Sequence, residues 1–534
     1  MSDATAADGA ASPAGAPGAG HVEGVARGGA ANLIGAVVYG ASGFVLLVVL
    51  NRVLGVRDAG VVVVAIAIFN ILTVIGGLGT STGLVRTIAR LRATDQPEEV
   101  PAMVRVALVP VAAVSVAATV GLWVAAPWLA ELFADGPRVD EVASVLRAMA
   151  PFVPFATLHT VVVQATRGFD TMVPQVVIEK IGRSLATPIL AGTAAAMGAG
   201  PRGVGVAWAA SNVLALALSS RALSTRVRAA AASAERPPTP ITRQARREFW
   251  AFTGPRGVAQ AAIVAVNWFD TILVGAILST SAAAIYASGT RYLLPGIFAA
   301  DALVQVTSPR LSGLLSTGRK AEASELVQAV GGWQVAVMWP TYLLIALFPT
   351  PLLRVFGPEV VAARGALVAL AVAMLITSPL GPSGAVILMA GRSRQAMFNT
   401  LIVLTVNIVG NLLFVKRYGI TAAGVVWGVT ILTTEALTGW QANRTVGVRT
   451  IGRPALTAIA VSAATVGLAG LGSRLLLGDD LVGLLVAGSV GGTSYLVGLR
   501  IFRSSMHLDA WWSGIRGRSG PVAAPASAPA RGTP

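Results

Sequence analysis

Ala59-Gly-Val-Val-Val-Val-Ala-Ile-Ala-Ile-Phe-Asn-Ile-Leu-Thr-Val-Ile-Gly-Gly-Leu-Gly79 runs for 21 residues without a charged side chain. As a helix rising 1.5 Å per residue it is about 30 Å long, the thickness of the hydrocarbon core of a bilayer. Backbone amides in hydrocarbon must find partners within the protein, and a helix satisfies them inside one segment. A barrel strand would need only about 9–11 residues and would alternate apolar with polar, which this run does not. The same pattern recurs at 31–50, 102–124, 146–166, 173–197 and 204–223. After a break it returns at 255–278, 282–306, 333–350, 365–388, 396–415, 422–440, 455–475 and 481–501. The sequence therefore predicts an all-α polytopic membrane protein with about fourteen transmembrane helices. The fourth, fifth, seventh and eighth of these spans are interrupted by prolines or charges.

Composition agrees. Hydrophobic residues are 54% of the 534 positions and charged residues 12%, about half the charge of a soluble domain. The formal charge of +16 does not indicate a nucleic-acid partner, because the basic residues sit in short loops rather than in a basic domain. There is no cysteine, which excludes disulfides and thiolate metal sites. His21, His159 and His507 are too scattered for a zinc motif. Residues 1–30 are Ala-, Gly- and Pro-rich and lack a signal peptide's basic and apolar regions, so they are expected to form a disordered tail. Residues 502–534 are expected to form a second, mostly disordered tail, in which Trp511 and Trp512 could lie at the headgroup level but read more readily as the frayed end of the last helix.

Charge orients the bundle. If both termini are cytoplasmic, 29 of the 40 Lys and Arg fall in cytoplasmic segments, 10 fall outside, and Arg291 lies within a span. Such a bias in short loops is the positive-inside signal, and one missed span would reverse it. The expected location is a bacterial cytoplasmic membrane, crossed many times, with both ends inside. The segment 224–249, with Glu235-Arg-Pro-Pro-Thr-Pro240 and several arginines, reads as a basic Pro-rich linker between two halves. It could also contact anionic membrane lipids.

The halves repeat. Gly205-Val-Ala-Trp208 opens the sixth span and Gly424-Val-Val-Trp427 the twelfth. Arg167-Gly168 precedes the fifth and Ala390-Gly-Arg392 the eleventh; Gly60-Val-Val62 and Ala284-Ile-Tyr286 correspond likewise. All three pairs share an offset of about 220 residues. A six-span unit is even, so both copies enter the membrane in the same direction and are related by a pseudo-two-fold axis along its normal. The expectation is an N-lobe over 31–223, a C-lobe over 250–443 and an added helix pair over 444–501. Carriers of this design bind substrate between the lobes.

Several segments carry a family resemblance. They are Asn51-Arg-Val-Leu-Gly-Val-Arg-Asp-Ala-Gly60, Gly77-Leu-Gly-Thr-Ser-Thr-Gly-Leu-Val-Arg86, Phe269-Asp-Thr-Ile-Leu-Val-Gly275, Ala284-Ile-Tyr286, Thr307-Ser-Pro-Arg310, Pro349-Thr-Pro-Leu-Leu-Arg-Val-Phe-Gly357 and Ala390-Gly-Arg392. In order and spacing, over about residues 30–445, the chain resembles polysaccharide-biosynthesis (O-antigen-type) flippases of the multidrug/oligosaccharidyl-lipid/polysaccharide exporter superfamily. Ala284 departs from that family's usual Gly. The resemblance implies flipping of undecaprenyl-diphosphate-linked oligosaccharide from the cytoplasmic to the outer leaflet. It also implies a glycan polymerase and glycosyltransferases as working partners.

A diphosphate headgroup needs a wet cavity with cations, and arginine's planar fork binds phosphate oxygens in pairs. Ionisable residues within spans are costly and usually face such a cavity. Arg291, about 13 Å into the eighth span, is the leading phosphate candidate; a structural ion pair with Asp270 or Asp301 is the even alternative. Arg86, Arg256 and Arg52, at span ends, are further diphosphate candidates but read more readily as interface residues. Asp270, Glu435 and Asp301 are candidates to take and release H⁺ or Na⁺; no other cofactor is expected. A salt bridge for Asp270 and hydrogen bonding of Glu435 to Thr433, Thr434 and Thr438 are the structural alternatives. Asp301 and Gln305, four residues apart, form one polar face. Asn267, Gln260, Asn407 and Asn411 could meet sugars or bond neighbouring helices.

Two other carriers remain open, a lipid II flippase and a multidrug antiporter of the same superfamily. A membrane polymerase or ligase would need a sizeable outer loop with catalytic groups. The longest outer loop, 125–145, offers no triad, phosphate loop or metal cluster, so a non-enzymatic carrier is expected.

Overall fold

The computed structural model describes residues 19–234, 237 and 240–506, with side chains described from residue 34 onward except at 265–267. The first half contains α1 (Ala19–Val49), α2 (Gly55–Gly76), α3 (Thr80–Ala93), α4 (Val100–Glu131), α5 (Arg138–Met149), α6 (Val153–Ala165), α7 (Ser184–Ala196) and α8 (Gly200–Ala232). The second contains α9 (Arg243–Ile277), α10 (Thr280–Thr290), α11 (Leu294–Ser316), α12 (Lys320–Leu347), α13 (Pro349–Arg354), α14 (Arg364–Thr377), α15 (Ser383–Met389) and α16 (Ser393–Gln441). The last elements are α17 (Arg453–Ser462), α18 (Leu468–Leu477) and α19 (Leu481–Ile501). No strand occurs among the described residues.

Nine helical runs among the described residues are long and apolar enough to cross a membrane; α9 adds a tenth, its parts Arg243–Val264 and Trp268–Ile277 inclined at 50°. Ile34–Ala93 has 60 residues and Ser393–Val446 has 54, so each holds two crossings of about 20 residues. Each divides at a glycine outside helical space: Gly55 at φ 78° and Gly419 at φ 66°, a backbone conformation that L side chains rarely adopt. Two further crossings are interrupted. One is the π-helix Gln175–Arg183 continued by α7; the other is α10, a 3₁₀ turn at Arg291–Leu293, and α11. The total is about fourteen.

The segment 224–249 is more helical than a linker reading implies. The run Ala229–Ala232 favours helix and carries α8 on to Ala232. Thr242 then caps α9 by accepting from the Ala245 amide at 3.1 Å. Residues 1–18 and 507–534, which hold most of the expected tails, lie outside the described residues, as do 235, 236, 238 and 239 within the Pro-rich stretch.

Helices α1–α8 pack among themselves, as do α9–α16, while α17–α19 pack on α12. The deciding stretch, within α2, lies at the seam: it touches α4, α5, α6 and α8 on one side and α9 and α10 on the other. Val61, Val62 and Val64 are therefore fully buried. The equally apolar α4 is peripheral, with Val109 66% and Trp128 69% exposed on its outer face. Repeat-matched glycines do the same work in each half. A Cβ on Gly205 of α8 would meet Met149 of α5 at 3.0 Å, and one on Gly424 of α16 would meet Ala366 of α14 at 2.4 Å.

The two halves close on each other at both ends of α2. At one end a Cβ on Gly60 would fall 2.0 Å from the Thr280 carbonyl oxygen. There Asn51 donates to Ser288 Oγ at 2.7 Å, and Arg52 donates to the carbonyls of Arg354 (2.5 Å) and Val355 (3.1 Å). At the other end a Cβ on Gly79 would fall 2.4 Å from the Gly257 amide.

Candidate substrate cavity

Between these closures lies a cavity of about 160 Å³, lined by Tyr39 and Ser42 of α1, Asn70 of α2, Arg183, Trp208 of α8, Trp268 of α9 and Arg291. No carboxylate among the described residues lines it. Both arginines are half-buried, and the Nε of each is buried without a hydrogen-bond partner. Arg291 makes no ion pair among the described residues, with Asp270, Asp301 or any other acid. Both guanidinium groups face one low-dielectric space with donors unspent, Arg183 offset by Glu179 and Arg291 by no acid among the described residues. An anion placed between them would satisfy both. The volume is below the roughly 300–1,000 Å³ of small-molecule sites, so a sugar diphosphate requires the halves to part.

Arg183 has no role in the sequence reading, and its setting explains how it is held. It ends the π-helix Gln175–Arg183, an irregularity frequent at functional sites. Its Nη2 donates to Glu179 at 2.8 Å. Glu179 in turn pairs with His159 Nε2 of α6, whose Nδ1 lies 3.1 Å from Ser219 Oγ of α8. The available signal was a Glu and an Arg four residues apart inside an apolar span.

Asp270 lies two residues beyond Trp268 but faces away from the cavity. It is buried, accepting from Asn411 Nδ2 at 3.0 Å and Tyr286 OH at 3.5 Å. Asn407 Nδ2 and Asn411 Oδ1 in the same cluster have no partner. One carboxylate with amide oxygens can hold a proton or a hard monovalent cation. Glu435 accepts from Ser383 Oγ at 2.8 Å, and that hydroxyl also meets Thr438 Oγ1 at 2.7 Å; this is a hydrogen-bonded carboxylate remote from Arg291. Asp301 and Gln305 are exposed together on α11 and do not border the cavity. Asn267 lies outside the residues whose side chains are described. Gln260 borders a second, polar cavity of about 380 Å³ with Thr82, Thr157, Thr160, Gln164 and Arg167.

A family model described as polysaccharide biosynthesis protein matches residues 25–315, more than half of the 534. The chain belongs to that family. Among curated proteins none matches this polysaccharide biosynthesis family member in sequence. A solved structure of the lipid II flippase MurJ, in an inward closed conformation, is similar over 88% of this chain and 98% of that one, with 12% identity and a TM-score of 0.69. An inward-facing multidrug-resistance MATE transporter of the MOP superfamily is similar over 77% and 94%, with 16% identity and a TM-score of 0.55. A Vibrio cholerae MATE transporter is similar over 79% and 96%, with 17% identity and a TM-score of 0.53. These likenesses show a shared transporter fold.

In this polysaccharide biosynthesis family member the span-end arginines Arg52, Arg86 and Arg256 lie at the closures, not in the cavity. Arg52 holds the carbonyls of Arg354 and Val355. Arg86 sits 4.0 Å over the Phe252 ring, with Arg256 at 5.8 Å from the same ring, a cation–π arrangement near the Gly79–Gly257 contact. Arg86 also borders a cleft with Arg90, Glu248 and Phe249. Arg291 is thus the one member of the predicted arginine set that lines the cavity.

Proposed function

We propose that this protein is a flippase that carries undecaprenyl-diphosphate-linked oligosaccharide from the cytoplasmic to the outer leaflet of a bacterial inner membrane, with both termini cytoplasmic. The observation that carries this reading is the pair of half-buried arginines, Arg183 and Arg291, whose buried Nε groups lack partners and which face one cavity without a lining carboxylate among the described residues. Two guanidinium forks suit the two phosphates of a diphosphate. A cationic drug would meet like charge there, which disfavours the multidrug reading.

Alternating access follows from the two closures. Parting the Gly79–Gly257 contact admits the headgroup from the side that charge bias makes cytoplasmic, and the hydroxyl- and amide-lined second cavity receives sugars. Parting the Gly60–Thr280 contact releases it outward, while the polyprenyl tail stays among membrane lipids. The Asp270–Asn407–Asn411 cluster couples the cycle to H⁺ or Na⁺. Glycosyltransferases supply the substrate and a glycan polymerase consumes it.

The test is flipping of a fluorescent undecaprenyl-diphosphate oligosaccharide by the full chain in proteoliposomes, with lipid II in a parallel arm. Arg291→Ala is expected to insert normally and to lose flipping. Normal flipping by that variant overturns the phosphate assignment. Transport confined to the lipid II arm replaces the oligosaccharide by the peptidoglycan precursor.

A further inference from the structure

Arg183 and Arg291 share a cavity but are held differently. Arg291 has no ion pair among the described residues, whereas Arg183 is the half-buried end of a row whose far members are buried. Its Nη2 donates to Glu179 at 2.8 Å, Glu179 meets His159 Nε2, and His159 Nδ1 meets Ser219 Oγ at 3.1 Å. His159 is 1% exposed and Ser219 fully buried. The Glu179 carboxylate only accepts, so Nε2 carries the hydrogen that faces it, while Nδ1 and the Leu216 carbonyl, 3.1 Å away, compete for the single hydroxyl hydrogen of Ser219. The row joins the π-helix, α6 and α8.

We propose that Glu179 and His159 are positioning residues, which aim the Arg183 guanidinium so that its free Nε and remaining Nη hydrogens face the diphosphate. The proposal rests on reading Arg183 as a phosphate ligand. An arginine side chain turns about several bonds, and anchoring one nitrogen fixes the plane of the fork before substrate arrives. Glu179 could instead act only as a countercharge that weakens anion binding. The two roles predict opposite signs: losing an anchor weakens binding, whereas losing a countercharge strengthens it.

The full-length protein in detergent is titrated with undecaprenyl diphosphate. Glu179→Leu is expected to weaken binding about tenfold, while Glu179→Gln, which keeps an acceptor oxygen for Arg183, stays within about threefold. In an Arg183→Gln background Glu179→Leu is expected to add nothing, because it acts through the arginine. His159→Leu and His159→Gln, the second keeping an amide donor for Glu179, repeat the contrast at the next link and cover the case in which Glu179→Leu fails to fold. Tighter or unchanged binding by Glu179→Leu overturns the positioning role, as does a loss that persists without Arg183. Normal binding by Arg183→Gln alone instead removes the phosphate assignment beneath it.

Discussion

Gly257→Ala tests the closure at the 79/257 end. A Cβ built on Gly257 lies 2.7 Å from the Leu78 carbonyl carbon and 2.9 Å from both the Leu78 oxygen and the Gly79 amide, where ordinary contact begins at 3.4 Å. All three neighbours are backbone, so no rotamer relieves the overlap, and α9 must separate from the α2–α3 turn by about 0.7 Å or more. Overpacking of this kind costs about 1–3 kcal/mol. That cost falls only on the conformation that makes the contact, while alanine's helix preference over glycine acts in every conformation and cancels. The closed population should therefore fall by about 5- to 150-fold relative to one parted at this end. The chain has no cysteine, so nitroxides can be attached specifically at Ala93→Cys and Arg247→Cys, both exposed and on opposite sides of the seam. Pulsed electron–electron resonance should show a longer distance component growing in Gly257→Ala. An unchanged distance distribution, at whatever melting temperature, would refute the reasoning, since the strain would then not be specific to the closed contact.

Other variants address the cavity and the coupling cluster. Arg183→Lys keeps the charge and removes the planar fork; flipping in proteoliposomes should fall about tenfold, and full activity would mean that a point charge suffices. Asp270→Asn should abolish the dependence of flipping on an imposed Na⁺ or pH gradient. Rates measured with and without that gradient decide it, and an undiminished gradient response excludes Asp270 from coupling. Arg52→Gln loses the grip on the Arg354 and Val355 carbonyls, worth about 0.5–1.5 kcal/mol per bond. Spin labels at Val53 and Val355 should then report a broader separation, and an unaltered one would show that packing alone holds that end.

The membrane class and helical fold were legible because hydrocarbon demands long uncharged helices, and α2 reads so without ambiguity. Its central place was not legible. A helix apolar on all sides can face lipid or lie in the middle of a bundle, and α4 and α2 look alike until their neighbours are known. Arg291 stood out as a charge deep in an apolar span, and the structure brings it to the cavity. Arg183 did not, because Glu179, Lys180 and Arg183 cluster in the fifth span and read as its polar interruption. The π-helix and the contact with His159 turn Glu179 and Arg183 inward, and His159 is only a lone histidine in the sequence. Arg52 and Arg86 carry motif positions yet sit at closures, with the span-end Arg256 beside Arg86, since a motif records that a residue type is required without recording which neighbour requires it.

Arg52 and Asn51 give the 60/280 end a particular chemistry. The bonds they make to Ser288 and to the carbonyls of Arg354 and Val355 cannot be exchanged for contacts with hydrocarbon, which offers neither donors nor acceptors. They can be exchanged almost evenly for bonds to water. Separation at this end therefore has solvent as a reactant: each group released must be hydrated as it leaves. The rate of outward release should accordingly respond to osmotic stress, falling as water activity is lowered, even though nothing in the bonds themselves is charged on both sides.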